Sequence, residues 1–285
     1  MRRRRTVVGI AIGSLVLLAC AEVSMVLAQG SPLDTGLLAA RERRYADAIE
    51  NLQLAIEQID DMTERARIQL VLGVLLNWNG QHDAGIAMLK RVVDYDPRLF
   101  CSLPEAGFHY LAPQPELGYA YRTAGDSNAA IKWWEEYLSW RRSTSAPRVY
   151  TNTLTARREL GARGELVAPP MVAHPNHGFI PSRPVDDAQR LLVPAARLAE
   201  ALPLECEASE DHETVTLARE GGAAMTLSAG SRTAVVDGAE TEMEVAPQLI
   251  EEELWVPLRF VVEEFGYRIE WEAPARIAWV RWKAE

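Results

Sequence analysis

Residues 254–271 read LWVPLRFVVEEFGYRIEW. Trp255-Val256-Pro257 is a short apolar strand that runs into a proline. Leu258 to Phe265 then reads as a short helix, with Glu263-Glu264 on its polar face and Gly266 as its stop. Arg268-Ile269-Glu270-Trp271 and the later run from Ile277 to Trp282 alternate as strands. The same order, strand, short helix and hairpin, recurs 63 residues upstream. Val193-Pro194 matches Val256-Pro257, and Leu198, Glu200 and Leu202 match Val261, Glu263 and Phe265. Cys206-Glu207 matches Ile269-Glu270, and Thr214 to Leu217 matches Ile277 to Val280. Two such units can cover each other's apolar faces, which neither buries alone. Between them, Val215-Thr216-Leu217 turns through Glu220-Gly221-Gly222 into Ala224 to Leu227, and Asp237-Gly238 is the dipeptide favoured in tight hairpins. An α+β tandem-repeat domain follows, over residues 179–285.

This pattern resembles a known family. Leu254 to Val261, then Gly266, Glu270-Trp271 and the closing strand, with Asp237-Gly238 upstream, resembles the copper amine oxidase N-terminal-like domain of secreted bacterial proteins. The resemblance runs from near Phe179 to Trp282. In the upstream copy Ala196 replaces the arginine at Arg259, and Ala208 replaces the aromatic at Trp271, so only the second copy carries the signature whole. Trp255, Arg259 and Trp271 are therefore the candidate binding or signature residues, with Arg259 either a structural ion-pair partner for an acidic strand residue or a ligand clamp. In copper amine oxidases this accessory domain is separate from the catalytic one, which uses a modified tyrosine in an Asn-Tyr context and three copper-ligating histidines. This chain has no Asn-Tyr dipeptide and no His-x-His pair on a strand. The resemblance implies a non-catalytic envelope module with no cofactor and no metal.

Residues 161–184 are rich in glycine and proline, and 161–178 reads as an interdomain linker. His174 and His177 sit inside it as His-Pro-Asn-His. They would bind a metal only if another element supplied further ligands. The alternative is an exposed linker.

Residues 34–160 read as amphipathic helices. Gly73, Gly80, Gly85, Ile86, Leu89 and Val92 are spaced like Gly118, Gly125, Ala130, Ile131, Trp134 and Tyr137. Gly36, Tyr45, Ala48, Ile49, Leu52 and Ala55 form an earlier copy. This resembles the tetratricopeptide repeat, in which small residues let paired helices approach and larger ones fill the groove between them. The resemblance implies a surface that holds a protein or peptide; the bland alternative is a helical bundle that packs only on itself. Trp134 fits the buried repeat position, while Trp133 and Trp140 are candidates to face a partner. The fold class is thus multidomain, all-α tetratricopeptide-like repeats followed by an α+β domain.

Arg2 to Arg5 precede an apolar run from Val7 to Ala28, which has the physical form of an export signal or membrane anchor over residues 1–28. Val26-Leu27-Ala28 offers a cleavage site, and Leu17-Leu18-Ala19-Cys20 resembles a lipobox that would leave Cys20 lipidated. Each option places the rest of the chain outside the cytoplasm, secreted or anchored to the outer face of the membrane, which it would meet only through the N-terminal segment. The net charge of −10 becomes −13 once residues 1–28, with four arginines and Glu22, are removed. An acidic chain is no partner for nucleic acid. Cys101 and Cys206 would then remain, either as free thiols or as a disulfide between the domains.

No His-Glu-x-x-His, Gly-x-Ser-x-Gly, Walker loop or Cys-x-x-Cys occurs. The expectation is an exported, non-catalytic envelope protein that binds a protein or peptide and attaches to a cell-wall component. The rival is an extracellular enzyme acting on wall polysaccharide through carboxylates that meet only in the folded state.

Overall fold

The structure is a computed structural model that describes residues 30–141, 145–185 and 190–283. The expected export signal and Cys20 lie outside the described residues. No helix among the described residues is long and apolar enough to cross a membrane. The chain forms two compact units that divide between Glu116 and Leu117.

The first unit holds helices α1 (Pro32–Arg41), α2 (Tyr45–Gln58), α3 (Met62–Trp78) and α4 (His82–Tyr95), then a hairpin of β1 (Cys101–Leu103) and β2 (Phe108–Leu111). Helix α5 (Pro113–Thr123) runs across the division. Ser31 caps α1 by accepting the Asp34 amide at 3.1 Å, and Asp61 caps α3 by accepting that of Glu64 at 2.7 Å. Helix α3 is apolar on nearly every side, with Ile68 and Leu70 to Leu76 buried, because α2, α4 and β2 all pack on it. The hairpin occupies the segment of Phe100, Cys101 and Pro104 that interrupts the helical spacing.

Three helical pairs, α1/α2, α3/α4 and α5 with α6 (Ser127–Trp140), are built alike. The first helix of each carries Gly36, Gly73 or Gly118. A Cβ there would lie 2.8 Å from Leu52, 2.7 Å from Leu89 or 2.1 Å from Trp134, each 16 residues on. The connecting turns share their hydrogen bonds: the amides of Arg44, Gln81 and Asp126 donate to the carbonyls of Ala39, Leu76 and Tyr121, each at 2.9 Å. The residue before each of these donors, Arg43, Gly80 or Gly125, has positive φ. Such a turn satisfies carbonyls that the helix end leaves free.

The second unit continues through α6 and α7 (Pro147–Ala162) into a β-rich body. Strands β3 (Met171–His174) and β4 (Gly178–Ile180) precede β5 (Arg183–Pro184), β6 (Leu191–Pro194), helix α8 (Ala195–Ala201), β7 (Glu205–Ala208) and β8 (Thr214–Ala218). The chain proceeds through β9 (Ala224–Ser228), β10 (Thr233–Val236), β11 (Ala239–Glu242), β12 (Gln248–Ile250) and β13 (Glu253–Pro257). It ends with α9 (Leu258–Glu264), β14 (Tyr267–Glu272) and β15 (Ile277–Trp282). The strands form three sheets, ordered β11-β10-β9-β8-β7, β12-β13-β6-β5 and β14-β15-β3-β4.

The two Val-Pro steps are neighbours in space. Strands β6 and β13 pair antiparallel with Val193 opposite Val256. Pro194 and Pro257 hold similar extended dihedrals, −60°/128° and −64°/112°, each as the cap of a short helix. The following hairpins share their register, with Cys206 opposite Leu217 and Ile269 opposite Val280. Asp237 and Gly238 both take positive φ in the β10–β11 turn, as a two-residue hairpin of this hand requires.

The expected linker at 161–178 is corrected. Met171 to His174 is a fully buried strand that pairs parallel with β15, Met171 opposite Ile277. Alternate residues of this sheet serve two cores. Val172, Ala278 and Val280 face α8, α9 and the other sheets. Met171, Ala173 and Ile277 pack with Ile131, Trp134, Val149 and Leu160 of α6 and α7. The boundary expected at residue 160 therefore falls inside a packed unit, because α6 and α7 cover a sheet face that would otherwise be exposed.

Polar contacts lock α7 in place. The Arg157 guanidinium is fully buried, pairs with Glu135 at 2.6 Å and donates to the carbonyls of Ala275 at 3.1 Å and Pro169 at 2.7 Å. Burial pushes the Glu135 carboxyl above its ordinary range, and the Arg157 charge opposes that. Arg158 forms two bonds to Glu272, at 2.7 and 3.0 Å, which hold the Glu272 carboxyl below its ordinary range.

Candidate functional site

A cleft of about 670 Å³ opens in the second unit beside α9. Its apolar wall comes from Phe260 on α9 with Ile269 and Trp271 on β14, and its polar lining includes Arg259, Glu244 and Glu263. The geometry follows from the local sequence. Pro257 turns β13 into α9, Gly266 at φ 78° turns the chain back into β14, and α9 therefore lies against the strand carrying Trp271. Leu258, Val261 and Val262 are buried, which leaves Arg259 exposed on the other side of a two-turn helix. Trp271, opposite Ala278 across the hairpin, keeps 42% of its surface exposed.

The cleft unites Arg259 and Trp271 and leaves out the other sequence candidates. Trp255 is half-buried on β13, opposite Gln248, and does not line it. Trp133 and Trp140 are half-buried on α6, with Trp140 set edge-on to Tyr137 at 5.0 Å. Trp134 is fully buried, as its repeat position requires. Phe260, Ile269, Arg190, Glu242 and Glu244 were missed as site residues. The glutamates at the far end of β11 approach α9 only through the sheet arrangement, so no local motif marks them.

The ion pair considered for Arg259 is not formed. Among the described residues its guanidinium makes no salt bridge and no hydrogen bond. The strand carboxylates within reach of that expectation are taken: Glu270 pairs with Arg268 at 2.7 Å and with Arg281 at 2.6 Å, and Glu272 pairs with Arg158.

Cys101 is a buried free thiol in the first unit and Cys206 an exposed one on edge strand β7, so the disulfide considered from sequence is not present. Burial pushes the Cys206 thiol up, helped by the nearby Glu253 charge.

His174 and His177 close the β3–β4 turn with ring centroids 5.0 Å apart, and His174 is buried rather than on an exposed linker. Among the described residues no three His, Cys, Asp or Glu side chains group as a metal site requires. The Asn176 amide donates to His174 Nδ1 at 3.3 Å, which calls for an unprotonated nitrogen there. Burial, with the His177 charge, lowers the His174 pKa to about 4. The unfolded chain, at an ordinary value of about 6.5, takes up this proton first as pH falls. Stability attached to neutral His174 is thus complete above pH 6.5 and is lost as pH falls toward 4, by about 3 kcal/mol in all. Urea denaturation of the protein and of His174→Phe across pH 4–7.5 should show a flatter profile for the variant; parallel profiles would refute the assignment.

Comparison with protein families places this unit. Residues 179–278 match the family described as the Copper amine oxidase N-terminal domain. The match spans both Val-Pro steps and the whole of α9, and ends at Ala278 within β15. No curated protein matches the chain.

Proposed function

We propose that a chain carrying this accessory module behind its helices is an exported, non-catalytic component of the cell envelope. In this reading the helices are tetratricopeptide-like repeats that hold a protein or peptide, and the C-terminal module attaches to a cell-wall component. The observation that carries the repeat reading is the recurrence, in three helical pairs, of a glycine contact 16 residues long with the same turn hydrogen bonds. Close helix approach at small residues is what stacked helical pairs need, and three pairs are about the minimum for a stable stack. The export reading draws on Arg2 to Arg5 and the apolar run behind them. The excess of acidic residues argues against nucleic acid as a partner.

Fractionation of the native host tests this. The full chain is expected outside the cytoplasm, and a variant with Arg2, Arg3, Arg4 and Arg5 all changed to Glu is expected to stay inside. Mature protein in the cytosol would overturn the reading. The rival enzyme reading has one observation in its favour, since Glu242, Glu244 and Glu263 line a single cleft. Release of reducing ends from wall polysaccharide by the full chain, lost in Glu263→Gln, would establish it instead.

A further inference from the structure

We infer that the cleft between α9 and β14 binds an uncharged oligosaccharide. Its volume, about 670 Å³, lies inside the range of roughly 300–1,000 Å³ usual for ligand sites. Three features point to a hydroxyl-rich ligand. The first is an indole, that of Trp271, left 42% exposed beside Phe260 and Ile269 at the cleft wall. A flat apolar ring of this kind suits the C–H face of a pyranose. The second is the guanidinium of Arg259, which reaches the cleft from α9 with no protein partner among the described residues. Its fork of donors matches a pair of vicinal hydroxyl or ring oxygens. The third is the set of carboxylates, Glu242, Glu244 and Glu263, which accept hydrogen bonds from hydroxyl groups.

Charge selects among ligands. Two arginines, Arg190 and Arg259, stand against three glutamates in a chain of net charge −10. A polyanion is repelled by the glutamates and by the whole protein. A basic peptide would suit the glutamates and would set like charge against both arginines. A neutral sugar donates to the carboxylates and accepts from the guanidiniums, so it satisfies both signs at once. The upstream copy, with Ala196 and Ala208 in place of Arg259 and Trp271, lacks both groups. This inference deepens the wall-attachment reading and rests on it only for where such a glycan is met. Binding is measured in solution, so its failure leaves the fractionation result standing.

The test is titration of the full chain with cellotetraose and with chitotetraose, followed by calorimetry and by tryptophan fluorescence. Saturable binding of at least one is expected. Trp271→Ala should weaken it about tenfold or more, Arg259→Ala by several-fold, and Trp271→Phe should retain most of it. Thermal melts of these surface variants should match that of the unaltered protein. The proposal fails if neither sugar binds, if Trp271→Ala and Arg259→Ala bind as well as the unaltered protein, or if octalysine displaces the sugar and binds more tightly.

Discussion

Arg157→Met should destabilise the second unit by about 3–5 kcal/mol, the cost of leaving one member of a buried ion pair without its partner. Methionine fills much of the same space but supplies none of the donors. Glu135 would keep its charge in a site where burial already raises its pKa, and the carbonyls of Ala275 and Pro169 would lose their bonds. The loss should be much smaller in the double variant Arg157→Met/Glu135→Leu, because no buried charge is then stranded. Urea unfolding of the single and double variants checks this. Equal losses in both would show that the carbonyl bonds, and not the ion pair, hold α7 to the sheets. By contrast, Arg163 and Glu165 pair at 2.8 Å with 57% of each side chain exposed, and Arg163→Ala should change stability by less than about 1 kcal/mol.

Gly161→Ala is expected to cost about 3 kcal/mol or more, at the upper end for overpacking. A Cβ at this position would sit 1.9 Å from the Pro274 carbonyl oxygen and 2.4 Å from its carbon. No side chain can rotate away, because the obstacle is backbone, so α7 and the β14–β15 turn would have to separate. That separation would also strain the bonds of Arg157 to Ala275 and of Arg276 to Ala168, at 3.1 and 3.0 Å. Thermal unfolding should show the loss, and hydrogen exchange should show it concentrated in α7 and residues 273–276. A variant as stable as the unaltered protein would mean that α7 is free to shift, contrary to the packing described.

Local chemistry made much of this architecture legible. Pro257 and Gly266 bracket α9, Asp237-Gly238 forms its tight turn, and the 63-residue offset aligns hairpins that share a register. Each of these depends on dihedral preferences or on alternation within a few residues, which a chain carries wherever it lies. The glycine spacing of the helical pairs was legible for the same reason, since small residues mark close approach.

The misread segment failed for a different reason. Residues 161–178 have a linker's composition, yet β3 is buried because its partner β15 lies more than 100 residues further on. Arg157 and Gly161 look like ordinary helix residues until the 274–275 turn arrives beside them. Of the candidate site, Arg259 and Trp271 were visible as departures between two repeat copies, while Phe260, Glu242 and Glu244 were not.

By itself the sequence determined the kinds of element and their order, helical pairs first and a doubled strand-helix-hairpin pattern after, because these follow from short-range sterics and periodic burial. Only the tertiary structure decided where the units divide, that α7 belongs with the sheets, and that Arg259 faces a cleft with no carboxylate partner. Those outcomes depend on which distant surfaces meet, and on which charges are already paired when they do.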